Sequence, residues 1–141
     1  MSYVAAILLL HMEEAWPSFV AFTNIATRYP IMPFYAFDEI LVRKAMQIYK
    51  HAFAYNLPEL CEHFELEKIQ PRQYLYQWFM TVFSRTFSIK LVTRVWDLYL
   101  FDGVIVLFQT AIAILKHLEK EMIDNEFEDI LPMLSKVHDY I

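Results

Sequence analysis

Glycine is almost missing from this chain. Gly103 is the only one in 141 residues, so a glycine-rich loop cradling phosphates with its backbone N–H groups is excluded. The nucleophile elbow, which sets a serine between glycines, is excluded for the same reason. Cys61 is the only cysteine, which rules out an internal disulfide framework and fits a reducing compartment. Positive charge is scarce as well. The 12 Lys and Arg stand against 17 Asp and Glu, a formal net charge of −5, whereas a nucleic-acid partner calls for clustered basic residues. No apolar run approaches the roughly 20 residues of a membrane-spanning helix. Residues 4–10 form the longest unbroken aliphatic run and are too few. Met1-Ser2-Tyr3 puts no basic residue ahead of them, and Glu13-Glu14 stand where a signal peptide has its small-residue cleavage site. A cytoplasmic location is the expectation. Sustained apolar–polar alternation, Ser- or Gly-rich tracts and an internal repeat of about 30 to 45 residues are all missing, which leaves no place for strands, flexible linkers or a solenoid.

What is abundant is apolar side chain. The chain is 57% hydrophobic with a mean hydropathy of +0.29, against a usual apolar share of roughly 45 to 50%. Its length suits one domain at most. That is more apolar surface than such a domain buries by itself, so either a large partner surface exists or the chain is part of a larger domain.

The pattern reads as one all-α, multi-helix array. Residues 2–15 are apolar on nearly every side, as in a helix buried all round. Trp16-Pro17 opens a helix to about Arg28, with proline tolerated in its first turn. Residues 29–35 hold Pro30 and Pro33 and read as a non-helical connection. Residues 38–55 place Ile40, Leu41, Ala45, Ile48, Ala52 and Tyr55 at helical spacing behind an acidic start. Asn56-Leu57-Pro58-Glu59 has the form of a capping box for a short helix to about Phe64. Gln70-Pro71 begins the next, which carries Tyr74, Trp78 and Phe79 to about Arg85. Ser88 is placed to cap a helix reaching Phe101, which Asp102-Gly103 ends. A long helix over 104–123 and a weaker one near 127–136 complete the array.

Candidate chemistry is thin. None of the five histidines is paired as His-x-x-x-His, and no Glu-x-x-His occurs for a carboxylate-bridged metal pair. In Cys61-Glu62-His63 the two donors point to different sides of a helix, so packing outweighs a metal role. No metal, cofactor or catalytic nucleophile is expected. Arg94 and Asp97 are three apart on one helix, within reach of an ion pair that would lock it to its neighbour, with Trp96 on a more apolar side.

Tyr74, Trp78, Phe79 and Phe83, then Arg94-Val95-Trp96-Asp97, Gly103 after five intervening residues, and Phe108 with Ala113-Ile114-Leu115 form a spaced series that resembles the last conserved motifs of the TBC domain, the GTPase-activating domain for Rab proteins. Residues 1–10, the acidic pair Glu13-Glu14 and the aromatic stretch over 16–22 are similar to the segment directly after the catalytic Tyr-x-Gln-Gly in that family. The likeness covers nearly the whole chain. It implies a Rab-family GTPase as partner, and a mechanism in which an arginine and a glutamine act in trans: the arginine neutralises charge on the transferred phosphoryl group while the glutamine orients the attacking water. In the family these lie in Ile-x-x-Asp-x-x-Arg and Tyr-x-Gln-Gly, and neither motif occurs here. Arg28, Arg43, Arg72, Arg85 and Arg94 lack the first context. Gln77, in Tyr74-Leu75-Tyr76-Gln77, is followed by Trp78 and not by glycine. The resemblance therefore implies residues 1–141 as the C-terminal lobe of a TBC domain, with the N-terminal lobe missing and Tyr74, Trp78, Phe79, Arg94, Trp96, Asp97 and Gly103 as structural rather than catalytic positions. The alternative is a non-catalytic helical interaction or scaffold module.

Overall fold

The computed structural model describes residues 2–141; Met1 lies outside the described residues. Among the described residues there are nine α-helices, two short 3-10 turns and no strand. They are α1 (Ser2–Met12), α2 (Ala15–Ala26), α3 (Ile31–Tyr35), α4 (Glu39–Asn56), α5 (Pro58–Leu66), α6 (Leu75–Met80), α7 (Ile89–Asp102), α8 (Ile105–Ile123) and α9 (Phe127–Ser135). The core is laid around α8, which α4, α5, α6 and α7 all contact. Helix α8 buries Leu107, Ala111, Ile114, Leu115, Leu118 and Met122, a stripe at three- and four-residue spacing. Helices α1 and α2 form a hairpin at the edge, joined to the rest chiefly where α2 meets α3.

Helix α4 begins where its capping chemistry dictates. The Asp38 carboxylate accepts from the backbone N–H groups of Ile40 (3.1 Å) and Leu41 (3.0 Å), satisfying two otherwise unpaired donors. Its buried face is Val42, Ala45, Tyr49 and Phe53. Ile40, Ile48 and Tyr55, expected on the core side, are exposed. The larger rings decide which face turns inward: Tyr49 and Phe53 interlock with Tyr74 and Phe64 edge to face, at 6.1 and 5.4 Å.

Four further expectations are corrected. Residues 31–35 are helical, because Pro30 stands before the helix and Pro33 falls in its first turn, where no N–H bond is lost. Asn56 does not cap α5. It is the last residue of α4, its amide donating to the Ala52 carbonyl at 2.7 Å. The helix expected from Gln70 to Arg85 is broken into a 3-10 turn at Pro71–Gln73, then α6, then a second turn. The break comes at Val82 (φ 47°) and Phe83 (φ 59°), two successive left-handed residues; Phe83 N–H donates back to the Trp78 carbonyl at 2.8 Å, closing α6 in the manner of a Schellman turn. A β-branched residue in that region costs about 1–2 kcal/mol, and complete burial of both side chains compensates. Finally, α1 is not covered all round: Val4, Ile7 and Leu8 are buried, while Leu9 and Leu10 are exposed.

Candidate functional site

The aromatic series forms a continuous block. Tyr74, Trp78 and Phe79 stand at helical spacing at the start of and along α6, and all three are buried. The Tyr74 and Tyr49 hydroxyls hydrogen-bond at 3.0 Å, and burial pushes both tyrosines well above the ordinary phenol range. The Trp78 indole N–H donates to the Leu134 carbonyl at 3.1 Å, which ties α6 to α9. Phe79 packs edge to face with Phe34 (5.5 Å) and Phe108 (5.3 Å), joining α3, α6 and α8.

Trp96 is buried on α7, and its indole N–H donates to the Val82 carbonyl at 2.8 Å. That carbonyl belongs to the left-handed turn, so the indole satisfies an acceptor that the broken helix leaves over. Gly103 closes α7 with φ 83° and ψ −159°, its N–H donating to the Tyr99 carbonyl at 3.0 Å. A methyl added there meets nothing within 4 Å. The backbone conformation, and not lack of room, calls for glycine.

Arg94 and Asp97 behave differently from the expected lock. Their closest approach is 4.0 Å, and their side chains are 81% and 71% exposed. They lie on the solvent side of α7 and tie it to no neighbouring helix, because Val92, Val95, Trp96 and Tyr99 occupy the side facing the core. Gln77 is half-buried on α6 and lines a cavity of about 690 Å³. Tyr99 has no hydrogen-bond partner for its hydroxyl among the described residues, and burial raises it to about 12, the nearby Arg28 opposing the shift.

No group of three or more His, Cys, Asp and Glu side chains among the described residues is placed to hold a metal ion, and no helix is long and apolar enough to cross a membrane. The conspicuous surface is the α1–α2 hairpin. Leu10 (69% exposed), Trp16 (73%) and Phe19 stand out from it, and an almost wholly apolar groove runs between Ala5, Leu9, Phe19 and Phe22. Composition announces the excess of apolar residues; the packing of the helices gathers part of it on this hairpin, while Phe37, Tyr55, Leu66 and Phe101 stand exposed elsewhere.

The family model described as the Rab-GTPase-TBC domain matches residues 1–123. Over 137 residues the chain is 34% identical to TBC1 domain family member 12 of Xenopus tropicalis, covering 97% of this chain and 20% of that protein. It is similarly 34% identical over 138 residues to TBC1 domain family member 14 of Homo sapiens, covering 98% of this chain and 18% of that one. Drainin of Dictyostelium discoideum is 27% identical over 137 residues, 97% of this chain and 31% of its own length. The chain thus spans about a fifth of the length of the first two relatives.

Proposed function

Because the chain belongs to the Rab-GTPase-TBC domain family, we propose that it serves as the C-terminal lobe of a Rab GTPase-activating domain whose arginine and glutamine are supplied from outside residues 1–141. The observation that carries this reading is the bare apolar face of α1 and α2, at the end of the sequence that resembles the segment after the family's glutamine motif. A face holding Leu10, Trp16 and Phe19 is stabilised by burial at roughly 25 cal/mol per Å². A preceding lobe of the same domain is an occupant that buries it permanently.

In this reading the chain's work is architectural. The aromatic block around Trp78 and Phe79 makes a rigid base, and the hairpin on its edge presents the start of α1, next to where a Tyr-x-Gln-Gly segment would enter. Rab GTP hydrolysis needs charge neutralised on the phosphoryl group and a positioned water. The chain carries neither family motif, so neither Arg94 nor Gln77 supplies the hydrolysis chemistry, and the Rab holds the domain at the cytosolic face of its membrane.

Single-turnover GTP hydrolysis by a panel of Rab proteins tests this. Loss of an arginine finger alone costs about a thousandfold or more, so the 141-residue chain leaves the intrinsic rates unchanged. Fusing it behind the N-terminal part of TBC1 domain family member 14, which is 34% identical to it, gives an accelerating chimaera. Acceleration by the unfused chain overturns the assignment of the chemistry, and a well-folded but inactive chimaera overturns the architectural role.

A further inference from the structure

Helix α4 carries a second ordered stripe on the side turned from the core. Ile40, Lys44, Ile48, His51 and Tyr55 follow one another at steps of four, four, three and four residues. At about 100° per residue they fall within about 80° of the helix circumference, opposite the buried Val42, Ala45, Tyr49 and Phe53. All five are exposed, Ile40 at 71% and Tyr55 at 87%. Helix α4 packs chiefly on α3, α5, α8 and the turn at Pro71–Gln73, so this stripe is separate from the apolar hairpin.

Charge gives the stripe a sign. The two acidic residues at the start of α4 are already engaged: the Asp38 carboxylate takes the N–H groups of Ile40 and Leu41, and Glu39 holds Arg72 at 2.8 Å. Further along, Glu65 of α5 is bound to Lys50 at 2.9 Å. Arg43 and Lys44 make no ion pair among the described residues. In a chain of net charge −5, this face is therefore locally positive, and Lys44 stands between large apolar side chains. The order along the stripe says what fits. Two helices laid side by side meet through residues three and four apart, which is the spacing here, and 18 residues give them about 27 Å of contact length. A lipid surface instead takes apolar residues on one side and basic residues at the margin, whereas Lys44 and His51 lie in line with Ile40, Ile48 and Tyr55.

We propose that the outer face of α4 is a docking seam for one amphipathic helix of a partner protein, whose contacting stripe alternates apolar with acidic side chains. Ile40, Ile48 and Tyr55 bury against the partner's apolar positions. Lys44 takes a carboxylate directly, with Arg43 at its edge, and His51 offers a ring N–H to the next one. A single helix covers less than a standard interface, so the contact is reversible and strengthens as salt is lowered. It goes beyond GTPase activation, and binding is read directly, so failure of the hydrolysis assay leaves it standing.

Fluorescence anisotropy tests it, with the 141-residue chain titrated into a labelled synthetic helix of about 20 residues that alternates Leu and Glu at the spacing of the stripe. A control peptide carries Lys in place of Glu. Saturable binding of the Glu peptide is expected, weakened about tenfold by Ile48→Asp or Tyr55→Ala. Lys44→Glu is expected to weaken the Glu peptide by a similar factor and to improve binding of the Lys peptide. These side chains are exposed, so circular dichroism of the three variants should match that of the parent chain. No saturable binding, equal binding of the two peptides, or binding indifferent to Lys44→Glu and Ile48→Asp overturns the proposal. Binding to phosphatidylserine vesicles that is lost in the same variants, without binding of the Glu peptide, overturns it in favour of a lipid surface.

Discussion

Replacing Gly103 by each of the two mirror-image alanines separates backbone strain from every other effect. Gly103 holds φ 83° and ψ −159°, a region that L residues scarcely enter and that costs of order 1–3 kcal/mol. An L-alanine methyl meets no atom within 4 Å, so no steric clash adds to that cost, and a modest unfolded-state gain of about 0.4–1 kcal/mol offsets part of it. The net expectation is destabilisation by about 1–2 kcal/mol. For D-alanine the same angles are the mirror image of the polyproline region, which is relaxed for that enantiomer. Only the unfolded-state term survives, and stability rises by about 0.4–1 kcal/mol. Denaturant unfolding of the semisynthetic chains reads both values. A shift of the same sign for both alanines refutes the argument that conformation alone reserves this position for glycine.

Trp96→Phe leaves the Val82 carbonyl without its indole donor and is expected to cost about 1–3 kcal/mol in denaturant unfolding. Arg94→Ala and Asp97→Ala remove an exposed pair 4.0 Å apart and should each change stability by less than about 0.5 kcal/mol. High pH should unfold the chain through its buried phenols. Tyr49, Tyr74 and Tyr99 all have folded values raised above the ordinary 10, so the protonated form is favoured in the fold. Their stabilising contribution is complete below pH 10 and is lost as pH climbs from there toward 12. An absorbance titration with circular dichroism should show their ionisation coinciding with unfolding; early, independent ionisation of all tyrosines counts against the packing.

What could be read from the sequence was what local chemistry decides. The start of α4 comes from one carboxylate and two N–H groups, and the end of α7 from one glycine, so both were legible. The inward face of α4 was not, since apolar residues lie on both sides and the choice rests on Tyr49 meeting Tyr74, a pair 25 residues apart. The turn after α6 was hidden for a stronger reason. Val82 and Phe83 disfavour the left-handed conformation they adopt, and only burial of the ring and the methyls against distant helices holds them there. Likewise the three-residue spacing of Arg94 and Asp97 was readable, but which side of α7 they occupy depends on how α7 lies on α8. Arg85, Lys136 and His138 come to line one cavity only through the fold, so no local pattern in the sequence places them together.

The edge position of the α1–α2 hairpin sets its dynamics. Ser18 ties the hairpin to itself, donating within it to the carbonyls of Glu14 and Leu8, whereas its links to the rest are few: α3, the Arg28 guanidinium just after α2 on the Leu100 carbonyl at 3.2 Å, and the Tyr3 ring under Arg85. A unit with strong internal bonds and a narrow seam opens as a whole, at a free energy below that of global unfolding. Its amides should therefore exchange with solvent deuterium together and ahead of those of α8. Whatever settles on its apolar face adds its binding free energy to that opening step, so slowed exchange in α1 and α2 alone becomes a direct reading of occupancy.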